Sequence, residues 1–254
     1  MNSLKGRVAL ITGVSRKRGS GYGIAKRLAD MGADLFLHSF APYDKDRDPS
    51  DSLFILQTLS DSGIKVEQKE ADFFDPESPA RLMQAAVERF AHIDILVVNH
   101  TYSAWQSLEA LTAEDIDRHL IINVRGSLLL LREFVKQHDG RPGGRVILMT
   151  SGQHLSPMPR ELAYVASKGA LHQLTLSLSE LLIEKGITVN TVNPGPTHTW
   201  KPGEEEYQQV LQRMPQGRWG EPDDAARLIS WLVSDDGVWI TGQVINSAGG
   251  FRPY

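Results

Sequence analysis

The 254-residue chain is 41% hydrophobic and 23% charged, and its net charge of -4 lacks the basic excess of nucleic-acid-binding proteins. Cysteine is absent, which excludes disulfides, thiolate nucleophiles and cysteine-built zinc sites and fits a reducing cytoplasm. No apolar run approaches the ~18 residues of a membrane helix, and no signal-peptide core precedes the first strand, so we expect a cytoplasmic protein without nucleic-acid or membrane partners.

The first predicted elements are a strand, a glycine-rich turn, a helix and a second strand. Residues 8–12 form a continuous apolar run, as expected for a strand that is buried on both faces. Glycines follow at positions 13, 19, 21 and 23, a helical pattern runs through Ile24, Leu28 and Met31, and residues 34–38 are strand-like. Glycines let the backbone approach a pyrophosphate, and a helix N-terminus offers free N–H groups. The order therefore predicts a dinucleotide-binding turn.

Charge around this turn bears on which dinucleotide is bound. Arg16, Lys17 and Arg18 lie within the turn, and the second strand ends in His38 and Ser39 without the acidic residue that normally binds a ribose diol. Positive charge and the missing acid favour a 2′-phosphate, so NADP(H) is predicted over NAD(H). Three aspartates follow in a loop whose position the pattern leaves open: Asp44, Asp46 and Asp48.

The rest of the chain alternates between strands and helices. Helices are predicted at residues 49–60, 79–90, 112–137, 164–181 and 222–233, and strands near 64–68, 93–98, 145–149, 187–192 and 243–245. Leu53, Leu56 and Leu59 are expected to face inward, as is Leu181, and Thr112 with Asp115 forms a capping pattern. Residues 198–220 are polar and are expected to form a mobile substrate loop. The pattern predicts one α/β domain over residues 1–254, with a Rossmann-type doubly wound parallel sheet and helices on both faces.

Ligands of such a sheet bind beyond the carboxyl ends of its strands. Five polar or special residues lie at predicted strand ends: Gly13, Asp72, Asn99, Ser151 and Pro194.

A candidate catalytic group follows Ser151. Tyr164 and Lys168 lie one helical turn apart on the same face. A phenol has an unperturbed pKa near ~10, and a neighbouring ammonium favours its ionised form. Together with the Ser151 hydroxyl, the pair could move a proton to or from a carbonyl or alcohol oxygen while a cofactor moves a hydride. A surface tyrosine and lysine at a common spacing is the alternative interpretation.

The order and spacing of several motifs resemble the classical short-chain dehydrogenase/reductase family over nearly the whole chain. The 3-oxoacyl-[acyl-carrier-protein] reductases are the nearest resemblance within it. The matching residues are Thr12-Gly13…Gly19-Ser20-Gly21, Asp72, Asn99, Asn123, Ser151, Tyr164-x-x-x-Lys168, Asn193-Pro194-Gly195 and Ile240-Thr241-Gly242-Gln243. The family implies a nicotinamide-dependent oxidoreductase that forms a homo-oligomer, a dimer or a homotetramer.

The resemblance also implies roles for individual residues. Tyr164 would be the general acid/base, Ser151 would orient the substrate oxygen, and Lys168 would lower the tyrosine pKa and hold the nicotinamide ribose. Asn123 would keep a water in line for proton relay. Cofactor contacts are expected from Gly13, Ser15, Arg16, Gly19, Ser20, Gly21, His38, Ser39, Asp72, Phe73, Asn99, His100, Tyr164, Lys168, Pro194, Gly195, Thr197 and Thr199. Substrate contacts are expected from Ser151, His154, Tyr164 and Trp200, with Trp105 and Met158 as wall residues. No metal site is expected.

Three departures from the family pattern stand out. Five residues separate Gly13 from Gly19 where three are usual, so Lys17 and Arg18 read as an insertion beside the phosphates. An alanine and a glycine of the family are replaced by His100 and Thr101, and a frequent Asp-Gly-Gly is replaced by the sequence at residues 247–250.

The activity is predicted to be carbonyl/alcohol interconversion, with a 3-oxoacyl thioester as the default substrate. Reduction of an activated C=C bond and an NADP(H)-sensing regulator remain alternatives. Divergent enoyl reductases space tyrosine and lysine by six residues, and positions 161 and 171 are Glu and Leu, which does not fit that spacing.

Overall fold

The computed structural model describes residues 4–43, 48, 50–199 and 203–253. Seven strands form one parallel sheet in the order β3-β2-β1-β4-β5-β6-β7. The strands are β1 (Val8–Ile11), β2 (Asp34–Ser39), β3 (Val66–Glu70), β4 (Ile95–Val98), β5 (Gly144–Met149), β6 (Ile187–Asn193) and β7 (Val244–Asn246). The order reverses between β1 and β4, which confirms the doubly wound sheet and opens a crevice at their carboxyl ends.

Eight α-helices cover the two faces of the sheet in the described part of the chain. They are α1 (Ser20–Asp30), α2 (Asp51–Ser60), α3 (Ser78–Phe90), α4 (Ala113–His119), α5 (Ser127–Gln137), α6 (Leu162–Ile183), α7 (Glu204–Leu211) and α8 (Pro222–Val233). Strand β1 shows why both faces must be covered. Ala9 and Ile11 belong to one buried apolar cluster, and Val8 and Leu10 belong to the other. Alternate residues of a strand point to opposite faces, so a continuous apolar run requires two cores.

The predicted helix at residues 112–137 is interrupted. Helix α4 ends at His119, a π-helical segment (Leu120–Gly126) follows, and α5 continues from Ser127. The predicted capping box of Thr112 with Asp115 is present. Wider π turns are common at functional sites, and this one contains the predicted catalytic Asn123.

Two expectations on the helices are corrected. Leu53 is 75% exposed, because α2 buries Ile55 and Leu59 instead. Leu181 is 66% exposed, because the face that α6 buries ends at Leu182. The stretch at residues 198–220 contains helix α7, although residues 200–202 lie outside the described part, and its mobility stays a prediction.

Candidate active site

A single cavity of about 1410 Å³ follows the carboxyl ends of the central strands. It is lined by all five residues that were expected at the strand ends, and by Tyr164 and Lys168. The other predicted cofactor residues that line it are Ser15, Arg16, Gly19, Ser20, Gly21, His38, Phe73, His100, Gly195, Thr197 and Thr199. Tertiary structure therefore brings the glycine turn and the candidate catalytic group into one space.

The glycine turn forms a cradle in which side chains would not fit. Gly13 has a φ of +73°, and a Cβ there would lie 2.8 Å from the Cα of His100. A Cβ on Gly21 would lie 2.4 Å from the carbonyl oxygen of Gly13. Helix α1, whose residues are all described, begins without a side-chain cap and without an acidic residue in its first turn. Its first N–H groups and positive dipole end fit a pyrophosphate.

The basic residues of the turn do not act together. Lys17 forms an ion pair with Asp51 at 3.1 Å, and its ammonium lies 4.9 Å from the ring centre of Phe54. Arg18 lines a separate small cavity. Of the three basic residues in the turn, Arg16 alone is among the described lining residues of the main cavity. Lys17 and Arg18 are not among the described lining residues of the main cavity, and their position beside the cofactor phosphates stays a prediction.

His38 lines the cavity as a neutral ring. Its Nδ1 accepts a hydrogen bond from the N–H of Gly13 at 3.2 Å, and its Nε2 donates to the carbonyl of Ala71 at 2.9 Å. The ring stacks on Phe73 with centroids 4.4 Å apart. Burial lowers the pKa of His38 to about 4, so it carries no charge at neutral pH. Ser39 is buried and is not among the described lining residues, and its contact with the cofactor stays a prediction.

His100 connects the glycine turn to the π-helical segment. The Thr12 hydroxyl accepts from the N–H groups of Asn99 (2.9 Å) and His100 (3.1 Å), and it lies 2.8 Å from His100 Nδ1. The hydroxyl hydrogen is therefore donated to Nδ1, and His100 Nε2 donates to the carbonyl of Ile122 at 3.1 Å. Sequence marked His100 as a departure from the family but could not show its partner, because Ile122 is 22 positions away.

Asn123 acts on the backbone of the site. Its Oδ1 accepts from the N–H of Tyr102 at 2.7 Å, and its Nδ2 donates to the carbonyl of Tyr102 and to the hydroxyl of Ser167, both at 2.9 Å. The side chain is fully buried and is not among the described lining residues of the cavity. Asn123 thus clamps the segment after β4 to helix α6, and its role in a proton relay stays a prediction.

Tyr164, Ser151 and Lys168 meet inside the cavity. Burial raises the pKa of Tyr164 to about 12, and a hydrogen bond with Ser151 opposes this shift. Burial lowers the pKa of Lys168 to about 8. Lys168 Nζ donates to the carbonyl of Met149 at 2.9 Å and lies 5.8 Å from the ring centre of Tyr164. Loss of solvent therefore sets the direction of the Tyr164 pKa shift, and the lowering of this pKa by Lys168 stays a prediction.

Comparisons with known proteins agree with this geometry. The family model described as Enoyl-(Acyl carrier protein) reductase matches residues 13–252. The chain is 38% identical to an uncharacterized oxidoreductase, YjdA, of Bacillus subtilis, over 99% of each sequence. The chain belongs to the short-chain dehydrogenase/reductase family.

Solved structures of other short-chain dehydrogenase/reductases superpose closely on this one. A short-chain dehydrogenase from Burkholderia cenocepacia in complex with NADP is 31% identical, with a TM-score of 0.88 over 98% of this chain and 99% of that one. The landomycin C-6 ketoreductase LanV with bound NADP and rabelomycin is 30% identical, with a TM-score of 0.84 over 98% of this chain and 97% of that one. Membership of the family is therefore confirmed, and the protein is an oxidoreductase.

The end of the cavity beyond Tyr164 differs from what the sequence predicted. In this short-chain dehydrogenase/reductase, His154 packs against His172 with ring centroids 4.6 Å apart and is not among the described lining residues. Its substrate contact stays a prediction. Trp200 lies outside the described residues. We call the wall that is present the substrate half, and it is formed by Trp105, Leu155, Met158, Glu161, Glu206, Val210 and Trp219.

Two further findings concern the described residues as a whole. They contain no group of three or more histidine or acidic side chains that could hold a metal ion. None of the described helices has the length and hydropathy needed to cross a bilayer.

Proposed function

We propose that the protein is an NADP(H)-dependent oxidoreductase that interconverts a carbonyl and an alcohol. The observation that carries this proposal is the single cavity that joins an uncapped helix N-terminus at the glycine turn to Ser151, Tyr164 and Lys168. A nicotinamide cofactor, when bound, supplies or accepts the hydride. The chain itself supplies orientation and proton transfer.

Ser151, Tyr164 and Lys168 have separate roles in orientation and proton transfer. Ser151 and Tyr164 hold the carbonyl oxygen, and Tyr164 gives its hydroxyl proton to that oxygen while the carbonyl carbon is reduced. With a pKa of about 12, Tyr164 is in its neutral, proton-donating form at physiological pH. Lys168, with a pKa of about 8, is mostly charged at pH 7 and stabilises the phenolate that forms. In the oxidation direction the phenolate takes the alcohol proton.

Preference for NADP(H) over NAD(H) is part of the proposal. Arg16 lines the cavity at the glycine turn, and the described residues that follow β2, at positions 40–43, include no acid. A ribose 2′-phosphate therefore finds a cation and no adjacent carboxylate from this segment. The Burkholderia enzyme and LanV, which resemble this chain, are complexes with NADP.

A screen of NADPH oxidation over ketones, 3-oxoacyl thioesters, quinones and enones tests the activity. We expect an alcohol product from at least one ketone and loss of turnover in Tyr164→Phe. Product analysis separates the second candidate, C=C reduction, which the description of the matching family model favours. A saturated ketone as the product would replace our proposal with that one. NADPH binding without turnover of any compound would favour a regulator.

We also propose that the protein is a homo-oligomer, a dimer or a tetramer. Apolar side chains are exposed on the described surface, among them Leu176, Leu181, Trp231 and Trp239. Large exposed apolar side chains that cluster mark interaction surfaces. Light scattering should give two or four times the chain mass, and a monomer at micromolar concentration would contradict this.

A further inference from the structure

Glu161 places an acid beside the proton donor of the site. It immediately precedes helix α6, three positions before Tyr164, and it is half-buried in the substrate half of the cavity. Its backbone is fixed, because its N–H donates to the carbonyl of Met158 at 3.1 Å and its own carbonyl accepts from the N–H of Val165 at 2.7 Å. Both Glu161 and Tyr164 line the cavity, so the acid and the phenol border the same space.

The Glu161 carboxyl has few charged or hydrogen-bonding partners. Burial raises its pKa, and a hydrogen bond with the Trp105 side chain acts in the opposite direction. Within the part of the chain that the structure describes, no ion pair involves Glu161. The negative charge also raises the pKa of Tyr164, which shows that the two groups are electrostatically coupled. A carboxylate that is half-buried and bonded to one neutral donor has lone pairs left for another donor.

The cationic residues of the cavity lie elsewhere. Arg16 belongs to the glycine turn, and Arg118 on α4 is held by Glu114 at 2.9 Å, over the ring of Phe74. The ammonium of Lys168 is bonded to the carbonyl of Met149. The described lining of the substrate half therefore carries negative charge without a matching cation, and an anionic substrate group would be repelled there.

We propose that Glu161 determines substrate specificity by binding a hydroxyl or ammonium group that the substrate carries close to the carbonyl being reduced. The substrate class is then a neutral or cationic hydroxy- or aminoketone, and an anionic thioester is disfavoured. This inference rests on the proposed carbonyl-reducing function of the same site. Glu161 binds the substrate and takes no part in the hydride or proton transfer.

Matched ketones test the inference. Cyclohexanone and its 3-hydroxy, 3-amino and 3-carboxy derivatives are compared by kcat/KM for NADPH oxidation in the unaltered protein, Glu161→Gln and Glu161→Leu. Glutamine keeps an acceptor and removes the charge, whereas leucine removes both. Glu180→Gln, an exposed acid on the same helix, is the control. Thermal melting checks that each variant folds.

We expect the unaltered protein to favour the hydroxy- and aminoketones over cyclohexanone by about tenfold and to reduce the carboxyketone most slowly. Glu161→Gln should remove the advantage of the aminoketone, and Glu161→Leu should also remove that of the hydroxyketone. If the Glu161 variants lose the kcat/KM advantage of only one of these two ketones, the donor group of that ketone is the one that Glu161 binds. Equal changes for all four ketones, or no preference in the unaltered protein, would overturn the inference while leaving the proposed function intact. Failure to reduce any ketone would overturn the proposed function itself.

Discussion

The two ends of the cavity are built in different ways. At the cofactor end, Thr12, Asn99 and His100 form a closed hydrogen-bond network of main-chain and side-chain groups around the glycine turn. In the substrate half, the walls are side chains from separate loops and from α7, among which Trp105 is 61% exposed whereas Trp219 is buried. A network of buried, mutually satisfied groups has one arrangement, whereas exposed side chains can be exchanged without disturbing the fold. In the proposed function, the first end binds the cofactor and the second selects the substrate.

The largest loss of activity is expected at Tyr164, where the two ends of the cavity meet. Tyr164→Phe removes the proton donor and leaves the ring, so kcat should fall by roughly 10² to 10⁴-fold while the Kd for NADPH changes little. Stopped-flow turnover and fluorescence titration of NADPH measure the two quantities. Tyr22→Phe, on α1 outside the described cavity lining, is the matched control. Equal loss of binding and turnover would mean that Tyr164 supports the cofactor end and has no separate chemical role.

Acid should destabilise the cofactor end first. The pKa of His38 is lowered to about 4, so below pH ~6.5 the unfolded chain binds a proton that the folded protein excludes. The contribution of His38 to the free energy of unfolding is complete above pH 6.5 and is lost as the pH falls toward 4, by about 3 kcal/mol. Urea unfolding at pH 7, 5.5 and 4.5 measures it. His38→Gln, which cannot titrate, should be less stable at pH 7 but should show a shallower pH dependence. If the free energy of unfolding depends on pH as steeply in His38→Gln as in the unaltered protein, groups other than His38 cause the acid sensitivity.

The two hydrogen bonds of His100 can be removed one at a time. Asparagine places an acceptor near the Nδ1 position, opposite Thr12, and glutamine places a donor near the Nε2 position, opposite Ile122. We expect His100→Gln to raise the Kd for NADPH by about tenfold with kcat nearly kept, because the glycine turn loses its partner. His100→Asn should lower kcat by about tenfold with binding nearly kept, because the π-helical segment with Asn123 loses its partner. Identical effects of both variants would show that His100 acts only as packing.

The smallest effect is expected at Arg16. Its side chain is exposed, so its interaction with a 2′-phosphate is weakened by solvent. Arg16→Ala should narrow the preference for NADPH over NADH by a few-fold, measured as the ratio of the two Kd values. Arg18→Ala, which changes the neighbouring small cavity, is the control and should leave the ratio unchanged. Equal Kd values for the two cofactors in the unaltered protein would refute the proposed preference.

Sequence predicted most of the cofactor end because its residues lie within a few positions of strand ends. Gly13, Asn99, Ser151 and Pro194 lie within two positions of the ends of buried strands, and parallel strands bring such positions to one edge. Contacts made by residues distant in the sequence could not be predicted in this way. Ala71 binds the side chain of His38, and Asp51 binds that of Lys17.

What the sequence alone determined is the alternation of strands and helices, the glycine turn and the Tyr164–Lys168 spacing. These depend on local propensity, periodicity and residues close in the chain. Only the tertiary structure decided the wall of the substrate half, the bridge from His100 to Ile122 and the sign of the Tyr164 pKa shift. Each of these depends on how deeply a group is buried and on which distant residue packs beside it, and a linear pattern carries neither.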